Sequence, residues 1–593
     1  MSKLRIWSLI LTPAFVIAGL SAAQVSSQPN LTGMVSASDG KPMEGVAVSA
    51  RANNKTFTTT VYTDLSGAYS FPSLDEGRYS IWAQAVGFEE AKAEQAISSG
   101  KKIQQNFSLK RLQDFSRQLS GDELMASIGG DTPQDQRMKT IFINNCTGCH
   151  ELNFPLQNRF DARGWGTMVN LMSKTQFTGL LNIDNPSVPM INAYKEELVG
   201  YLTQVRGPSS PLNYKLVPRP TGAAAQAVIT EFDFPPGQSP DYISQHSGSI
   251  WSEGVASAYE GRGAHDAVVD QHGIVWFTDQ MNPERTIGSM DPRTGKTTGY
   301  KLPGKDGDSV GSHGIGVDRD GMVWFTNLTE GTFTKLDPRT GQFTRFPRPD
   351  SLRVGGVTLD IASDGMIWGN ANSGAIKLDP KTGEYTAYKG ATSGGTYGCA
   401  VDRNGNAWYT LPGLDRVGMA DHQTGTVTEV VVPPLKEDLS NDEDRELGAK
   451  INNNVNNATP RLKDPRRMAA DKNGNYVWVA EYMADQLARI DINTKEIKEY
   501  PLPHRYTQPY SVVVDKNHMV WIALMNTDRV ARFDPAAERF TEYTLPTRGT
   551  EARFISVDNY AAAITVWLPY NRTNKLTRIQ LRSANPTIAS AEK

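Results

Sequence analysis

The fold of this 593-residue chain is decided by a repeated pattern that is clearest at residues 313–326, HGIGVDRDGMVWFT. An Asp, a turn rich in Gly or Asn, and a Trp follow one another, and the same order occurs in seven units. The tryptophans of these units are Trp276, Trp324, Trp368, Trp408, Trp478, Trp521 and Trp567. A unit of about 43 residues with four short strands is one propeller blade. We therefore predict a seven-bladed β-propeller over residues 227–582.

The long insertion and the two ends of the repeat lead to further predictions. Trp408 and Trp478 lie 70 residues apart, and the extra length is a charged, Asn-rich stretch at about 436–464. Residues 227–233 precede the first unit and resemble the outer strands of the other units. We predict that they pair with Leu576–Leu581 and close the ring.

The repeat resembles the streptogramin lyase (virginiamycin B lyase) propeller family over about residues 227–581. The resemblance implies a magnesium-dependent elimination that opens a cyclic depsipeptide. It also implies a His where the inner strand of the sixth blade begins and Glu-x-His where that of the seventh begins. Here these places read Gln508-Pro509-Tyr510 and Glu551-Ala552-Arg553. Only Glu551 is retained, so we expect the fold of the family but not an evident general base for its reaction.

Residues 31–111 alternate apolar and polar side chains between Asp-Gly, Ser-Gly and Glu-Gly turns, which predicts a small antiparallel β-sandwich. The phrases Gly67-Ala-Tyr69-Ser-Phe71 and Gly77-Arg-Tyr79 resemble the carboxypeptidase regulatory-like (transthyretin-like) domain. The resemblance implies an accessory module without catalytic residues.

The segment Cys146-Thr147-Gly148-Cys149-His150 has the C-x-x-C-H pattern of covalent c-type haem attachment. Both thiols bind the haem and the adjacent His is the proximal iron ligand. Three helical runs in residues 136–207 suit a small all-α monohaem cytochrome c domain. Arg159 to Met172 resembles short cytochrome domains of quinohaemoprotein-like proteins, in which a Met follows a Trp by seven residues. We therefore favour Met172 as the distal ligand, with Met190 as the alternative.

The remaining segments suggest export and two connections. Residues 1–23 combine a positive start, a short apolar run and small residues, which predicts a cleaved signal peptide. We expect a periplasmic or secreted protein with no stable membrane insertion after cleavage. Residues 112–135 and 208–226 are expected to be linkers, and residues 583–593 a tail.

Polar residues recur where the inner strands of the propeller begin, and equivalent positions should converge on one mouth of the central channel. The candidates for a catalytic role are His265, Asp266, His313, Arg467, Tyr510, Glu551 and Arg553. Tyr397 and Arg466 occupy similar places. Three arginines would favour an anion or a carboxylate, and the propeller could also bind a divalent metal. The alternative is that these are simply polar loops.

The net charge of −3 gives no electrostatic footprint for nucleic acid, which excludes that class of partner. The sequence thus predicts a mainly β, multidomain protein with a sandwich, a cytochrome c domain and a propeller. We expect an exported haem protein that transfers electrons or acts as a dehydrogenase-type oxidoreductase. Its propeller would bind a small molecule or a redox partner protein. The alternatives are a streptogramin lyase-like C–O lyase and a non-enzymatic module that binds carbohydrate or protein.

Overall fold

The structure is a computed structural model of the chain. It describes residues 30–147, 150–174, 192–234, 248–255, 264–279, 282, 284–304, 307, 310–451, 460 and 462–582. The expected signal peptide and tail, together with Cys149 and Met190, lie outside these ranges. Within them, no helix has the length and apolar character needed to cross a bilayer.

The N-terminal part is a β-sandwich, as predicted. Its strands are β1 (Leu31–Ala37), β2 (Ala47–Ala52), β3 (Phe57–Tyr62), β4 (Ala68–Ser70), β5 (Gly77–Gln84), β6 (Ala91–Ile97), β7 (Ile103–Gln104) and β8 (Phe107–Leu109). One sheet has β1 between β4 and the pair β7 and β8, and the other has the order β3-β2-β5-β6. The alternation of β1 turns Leu31 and Val35 into the core, where Val48 and Ile81 meet them.

A group of helices with one hydrophobic core follows the sandwich. These helices are α1 (Gly121–Ser127), α2 (Pro133–Cys146), α3 (Asn153–Leu156), α4 (Ala162–Met172) and α5 (Lys195–Arg206), with a 3-10 turn at Ser116–Gln118. We call residues 116–206, as far as they are described, the helical segment. The three predicted runs correspond to α2, α4 and α5. Helix α2 begins well because Thr132 and Asp135 form a capping box and Pro133 occupies the first turn.

The stretch 112–135 differs from the expected linker. It contains the 3-10 turn and α1, and Leu119, Leu124 and Met125 in it are fully buried. Its many polar residues indicate exposure to solvent, but several of them form hydrogen bonds within the stretch instead. Ser120 and Glu123, for example, form a capping box at the start of α1. The second expected linker contains only one short helix, α6 (Gly222–Ala225), within its described residues.

The C-terminal part consists of propeller sheets. The first four blades have strands β10 (Ala264–Val269), β11 (Val275–Asp279), β12 (Ile287–Asp291), β13 (Lys296–Tyr300); β14 (Ser312–Val317), β15 (Val323–Asn327), β16 (Thr332–Asp337), β17 (Gln342–Arg345); β18 (Val354–Ile361), β19 (Ile367–Ala371), β20 (Gly374–Leu378), β21 (Tyr385–Lys389); and β22 (Cys399–Val401), β23 (Ala407–Leu411), β24 (Arg416–Ala420), β25 (Val427–Val431). Two 3-10 turns, Trp251–Glu253 and Pro412–Leu414, accompany them.

The last three blades complete the ring. Their strands are β26 (Pro465–Ala470), β27 (Tyr476–Glu481), β28 (Gln486–Asp491), β29 (Ile497–Pro501); β30 (Pro509–Val514), β31 (Val520–Leu524), β32 (Arg529–Asp534), β33 (Arg539–Thr544); and β34 (Ser556–Asp558), β35 (Thr565–Tyr570), β36 (Lys575–Leu581). The outer strand of the last blade is β9 (Ala227–Asp233), which pairs antiparallel with β36. The predicted closure of the ring is therefore confirmed.

In four of the seven blades, the Asp and the Trp of the repeat are hydrogen-bonded to each other. In the second blade, Oδ1 of Asp318 accepts the backbone N–H groups of Asp320 and Met322, while Oδ2 accepts the indole N–H of Trp324 at 2.7 Å. The same bond joins Asp270 to Trp276, Asp402 to Trp408 and Asp515 to Trp521. All seven tryptophans are buried. One carboxylate thus shapes the turn and fixes the indole between blades, which explains the spacing of the motif.

Strand β9 also joins the sandwich to the propeller. Its second edge pairs antiparallel with β3, so that the order β34-β35-β36-β9-β3-β2-β5-β6 forms a single eight-stranded sheet. Arg51 of the sandwich reaches Asp233 at the end of β9, with 2.5 Å between Nη1 and Oδ2. The sandwich is therefore hydrogen-bonded to the seventh blade and is not held by a tether alone.

The insertion of the propeller holds the helical segment. It contains α7 (Asp442–Ile451), whose Asp444 accepts two hydrogen bonds of 2.7 Å from Nε and Nη2 of Arg137 on α2. The hydroxyl of Tyr194 donates to the same carboxylate at 2.6 Å, and Arg137 also reaches Glu197 at 2.6 Å. Arg137 and Asp444 are both buried, so each charge depends on the other.

We expect Asp444→Ala to destabilise the protein by about 3–5 kcal/mol, because it leaves the buried Arg137 without its main counter-charge. The free energy of unfolding in urea measures this loss. Asp442→Ala on the same helix is the matched control, since Asp442 is 98% exposed, and it should cost less than about 1 kcal/mol. Equal losses for the two variants would contradict the role of this ion pair.

Candidate functional site

The inner strands of the seven blades begin on one face of the propeller, which we call the N-terminal face. Threonines of the second strands hold these beginnings in place. The hydroxyl of Thr278 donates to the backbone carbonyl of His313 at 2.8 Å, and that of Thr410 donates to the carbonyl of Arg466 at 2.6 Å. Each threonine thus binds the inner strand of the next blade. These threonines, each two residues after the Trp of its blade, therefore position the candidate residues.

Four of the predicted residues form one buried cluster on this face. Nη1 and Nη2 of Arg467 donate to the two carboxylate oxygens of Asp266 at 2.9 and 3.0 Å. Nδ1 of His265 lies 2.7 Å from Oδ1 of the same carboxylate. Nδ1 of His313 lies 3.3 Å from Nη2 of Arg467, and the two imidazole rings are 4.0 Å apart. The sequence placed these residues on three blades, and the ring brings them together.

The protonation of the two histidines follows from their surroundings. Burial, reinforced by Arg467, lowers the pKa of His265 well below its usual value, and burial lowers the pKa of His313 likewise. Both rings are therefore neutral near pH 7. His265 then donates from Nδ1 to Asp266, which can only accept. His313 accepts at Nδ1 from Arg467, which can only donate.

The cluster has the donor types of a metal site but also a competing cation. One ligand atom each from His265, Asp266 and His313 lie within 4.8 Å of one another. Two imidazoles and a carboxylate are a known ligand set for transition metals. Arg467, however, occupies both oxygens of Asp266. A divalent ion would have to displace this guanidinium or meet its repulsion, so the arrangement does not fit a resident metal.

A second cluster consists of tyrosines around Arg466. The guanidinium carbon of Arg466 lies 4.8, 4.2 and 4.6 Å from the ring centres of Tyr397, Tyr482 and Tyr510. The hydroxyls of Tyr397 and Tyr510 are hydrogen-bonded to each other. Burial opposes ionisation of Tyr510, but Arg466, Arg553 and Arg467 outweigh it and lower its pKa. Burial raises the pKa of Tyr397. Tyr510 thus carries the more acidic hydroxyl of the pair.

Glu551, the one residue retained from the lyase pattern, is committed to ion pairs. Its carboxylate accepts from the guanidinium groups of Arg553 and Arg572. Its backbone N–H donates to the carboxylate of Glu151 in the helical segment. Glu551 is fully buried in this arrangement. It is therefore a structural anchor between two parts of the chain rather than an accessible base.

Thr147 and Leu152, on either side of His150, rest on the N-terminal face next to these clusters. The hydroxyl of Thr147 accepts from Nε2 of Gln508 at 2.7 Å and from the hydroxyl of Tyr482 at 3.2 Å. The backbone N–H of Leu152 donates to Oδ1 of Asn526 at 2.9 Å. Gln508 lies where the inner strand of the sixth blade begins, which is one of the places where the lyase pattern has a His. Thr147 and Leu152 thus lie against the N-terminal face at the fifth and sixth blades.

Sequence reasoning missed Tyr482, one of the propeller residues that make this contact. Tyr482 directly follows the second strand of the fifth blade, as Asn571 follows that of the seventh, and Asn526 lies two residues after that of the sixth. That recurrence of polar residues after the second strands was visible in the sequence. Their partner was not, because nothing local to these residues indicates that Thr147 and Leu152 pack against them.

One cavity in the helical segment is lined by all three predicted haem residues that the structure describes. Cys146, His150 and Met172 all line it, together with Met168. The space, open solvent included, is about 850 Å³, and apolar side chains such as Trp165 form most of its wall. Nδ1 of His150 lies 3.1 Å from the carbonyl oxygen of Glu151. Burial lowers the pKa of His150 to about 4, so its ring is neutral and Nε2 is left to act as a ligand.

The architecture defines a mainly β, multidomain protein that joins a sandwich to propeller sheets. Residues 449–588 match the Virginiamycin B lyase family, and residues 30–110 match the Carboxypeptidase regulatory-like domain. The chain therefore carries a virginiamycin B lyase-like propeller domain and a carboxypeptidase regulatory-like domain. A comparison with curated proteins finds no match.

The solved structures to which this chain is similar include lyases. The selenomethionine-substituted virginiamycin B lyase of Staphylococcus aureus is 18% identical with a TM-score of 0.43, over 54% of this chain and 96% of that chain. A streptogramin B lyase structure is 20% identical with a TM-score of 0.46, over 61% and 100%. The extracellular domain of a one component system from B. thetaiotaomicron is 14% identical with a TM-score of 0.38, over 55% and 40%.

The pH dependence of stability tests the charge balance around Arg466. Burial, together with Asp415, raises the pKa of Asp464 to about 7, although Arg466 lies 3.4 Å away. The folded state then keeps a proton that the unfolded state loses above about pH 4. Stability should fall as the pH rises from about 4 to about 7, by up to about 4 kcal/mol from this group.

Asp464→Asn removes this titration, so its stability relative to the wild type should rise over the same pH range. Urea unfolding at several pH values measures the difference. Asp320→Asn, at an exposed aspartate of the second blade, is the control and should follow the wild-type profile. A constant difference between Asp464→Asn and the wild type at all pH values would contradict the raised pKa.

Proposed function

We propose that this chain is an exported c-type haem protein that works as an electron-transfer or dehydrogenase-type oxidoreductase. The observation that carries the proposal is the shared cavity of Cys146, His150 and Met172. These residues come from two helices and the loop after α2. Thiol, imidazole and thioether are the side-chain groups that covalent attachment and axial ligation of a c-type haem require. In the proposal, the helical segment is the cytochrome c domain.

The residues around the cavity fit the group. Cys146, with Cys149, would attach the haem covalently, and His150 and Met172 would be the axial ligands. A haem held in this way supplies one-electron transfer, with a potential raised by the thioether ligand. Met190 remains the alternative distal ligand and lies outside the described residues. Met168 also faces the cavity and serves as an internal comparison.

The chain's own side chains prepare this site. The hydrogen bond between Nδ1 of His150 and the carbonyl of Glu151 orients the imidazole and keeps it in one tautomer. Phe142, Trp165 and Leu198 exclude water from the cavity wall, which favours electron transfer over ligand exchange. Trp165 is itself fixed by a bond from its indole N–H to the carbonyl of Arg206 at 3.3 Å.

The propeller would supply the site at which the partner of this redox centre binds. Thr147, Glu151 and Leu152 rest on its N-terminal face, so the haem-binding region and the propeller clusters are adjacent in one chain. The small molecule or the redox protein that exchanges electrons would then bind close to the helical segment. Gln508 and Glu551 are engaged in this contact, which favours an oxidoreductase over a lyase of the streptogramin type.

The first experiment is an optical spectrum of the full chain, expressed with its signal and haem-maturation machinery and measured oxidised and reduced. We expect covalent c-type haem with a low-spin, six-coordinate spectrum in the wild type. Met172→Ala should become high-spin and lose its thioether signature, and its potential should fall because the thioether ligand raises it. Met168→Ala, in the same helix and cavity, is the matched control and should stay low-spin.

The outcomes separate the parts of the proposal. Loss of the low-spin spectrum in Met190→Ala, with Met172→Ala unchanged, would move the distal ligand to Met190. Absence of covalent haem from the exported, folded protein would contradict the proposed function altogether. Protein retained in the cytoplasm with residues 1–23 uncleaved would contradict the predicted export.

A further inference from the structure

The centre of the propeller contains a channel that the haem proposal does not use. All seven inner strands or the residues beside them contribute to its wall, and its space is about 1320 Å³, open solvent included. Asp266 and Arg467 lie at the end nearest the N-terminal face. The wall continues to the opposite ends of the inner strands, where Lys472 and Tyr560 are largely exposed. The channel therefore opens on the face away from the helical segment.

The charges along the channel cancel in pairs. At the inner end, Asp266 and Arg467 form a two-fold hydrogen-bonded ion pair. At the open end, Nζ of Lys472 lies 2.6 Å from Oδ2 of Asp360. Apolar side chains, among them Val268, Leu359, Val512 and Ile555, form the wall between these pairs. An ion brought into this channel would meet no free counter-charge among the described lining residues, and its desolvation would be costly.

The inner end nevertheless offers unused hydrogen-bonding groups. Among the described residues, Nε of Arg467 and the hydroxyls of Ser511 and Ser556 have no hydrogen-bond partner, and all three residues line the channel. Asp266 accepts three bonds, two from Arg467 and one from His265, which leaves capacity for one more. Buried polar groups are normally satisfied, so these atoms are available to bond the polar group of a molecule in the channel.

We propose that this channel binds an uncharged small molecule that combines an apolar part with one hydroxyl or carbonyl group. The molecule enters from the open end, and its polar group bonds to Asp266, Arg467 and Ser511 at the inner end. This assignment rests on the proposed function, and it names the class of substrate that the propeller would bind. An apolar wall with a few convergent polar groups is typical of such sites.

The position of the inner end connects this site with the helical segment. The guanidinium carbon of Arg467 lies 5.7 Å from the ring centre of Tyr510, and the rings of Tyr510 and Tyr482 are 5.7 Å apart. The hydroxyl of Tyr482 then reaches Thr147 at 3.2 Å. Packed side chains thus run without a gap from the channel to the C-x-x-C-H region. A molecule bound at the inner end lies at one end of this path.

The experiment compares three probes that share one ring and differ in charge: benzyl alcohol, benzoate and benzylammonium. Isothermal titration calorimetry on the full, haem-loaded chain measures their affinities. We expect benzyl alcohol to bind at least about tenfold more tightly than either ion, because the channel holds no free counter-charge. Ser511→Ala should weaken benzyl alcohol about three- to tenfold, the effect of one hydrogen bond.

Val268→Phe fills the channel beside Asp266 and should abolish binding. Val431→Phe makes the same change on an outer strand, where Val431 is 57% exposed, and should leave binding unchanged. If Val268→Phe does not fold, the weaker binding of benzyl alcohol to Ser511→Ala decides the test.

Equal affinity for the three probes, no binding of benzyl alcohol, or full binding to a folded Val268→Phe protein would each overturn the assignment. The result is separable from that of the spectrum. Haem-loaded protein that does not bind benzyl alcohol would remove the channel assignment and leave the haem. Protein without haem that binds in the channel would leave the ligand class and remove the redox function.

Discussion

Strand β9 is hydrogen-bonded along both edges, and this double pairing supports the rest of the molecule. One edge completes the seventh blade through β36, and the other continues into β3 of the sandwich. A propeller whose first and last blades were not joined would leave two open sheet edges. Closure brings the beginnings of the seven inner strands to one face, and only then do His265, His313 and Arg467 meet.

The helical segment depends on that closed ring in turn. Arg137 is neutralised by Asp444 of the insertion, and Thr147 and Glu151 are bonded to Gln508 and Glu551 on the N-terminal face. These contacts are buried and polar, which makes them specific to one docking arrangement because unpaired alternatives would be costly. The region with the C-x-x-C-H pattern is therefore placed beside the propeller clusters, and the central channel is left to open on the other face.

The sequence was enough to predict which residues belong to the candidate site, but not which role each residue has. Position in the repeat was enough to select His265, Asp266 and Arg467, since equivalent residues of a ring converge. Glu551 was selected by resemblance, yet its ion pairs with Arg553 and Arg572 make it an anchor. The stretch 112–135 was expected to be a linker because its composition is polar, and its burial comes from neighbours that composition does not describe.

The sequence by itself determined the local and periodic features: the seven Asp–Trp units, the alternation of the sandwich strands, the closing strand and the C-x-x-C-H pattern at residues 146–150. Each of these depends on side chains a few residues apart or on a pattern that repeats. Only the tertiary structure decided that β3 extends the seventh blade, that Asp444 neutralises Arg137, and that the charges of the channel cancel in pairs. Those contacts join residues far apart in the chain, and their partners follow from how whole units pack rather than from any local preference.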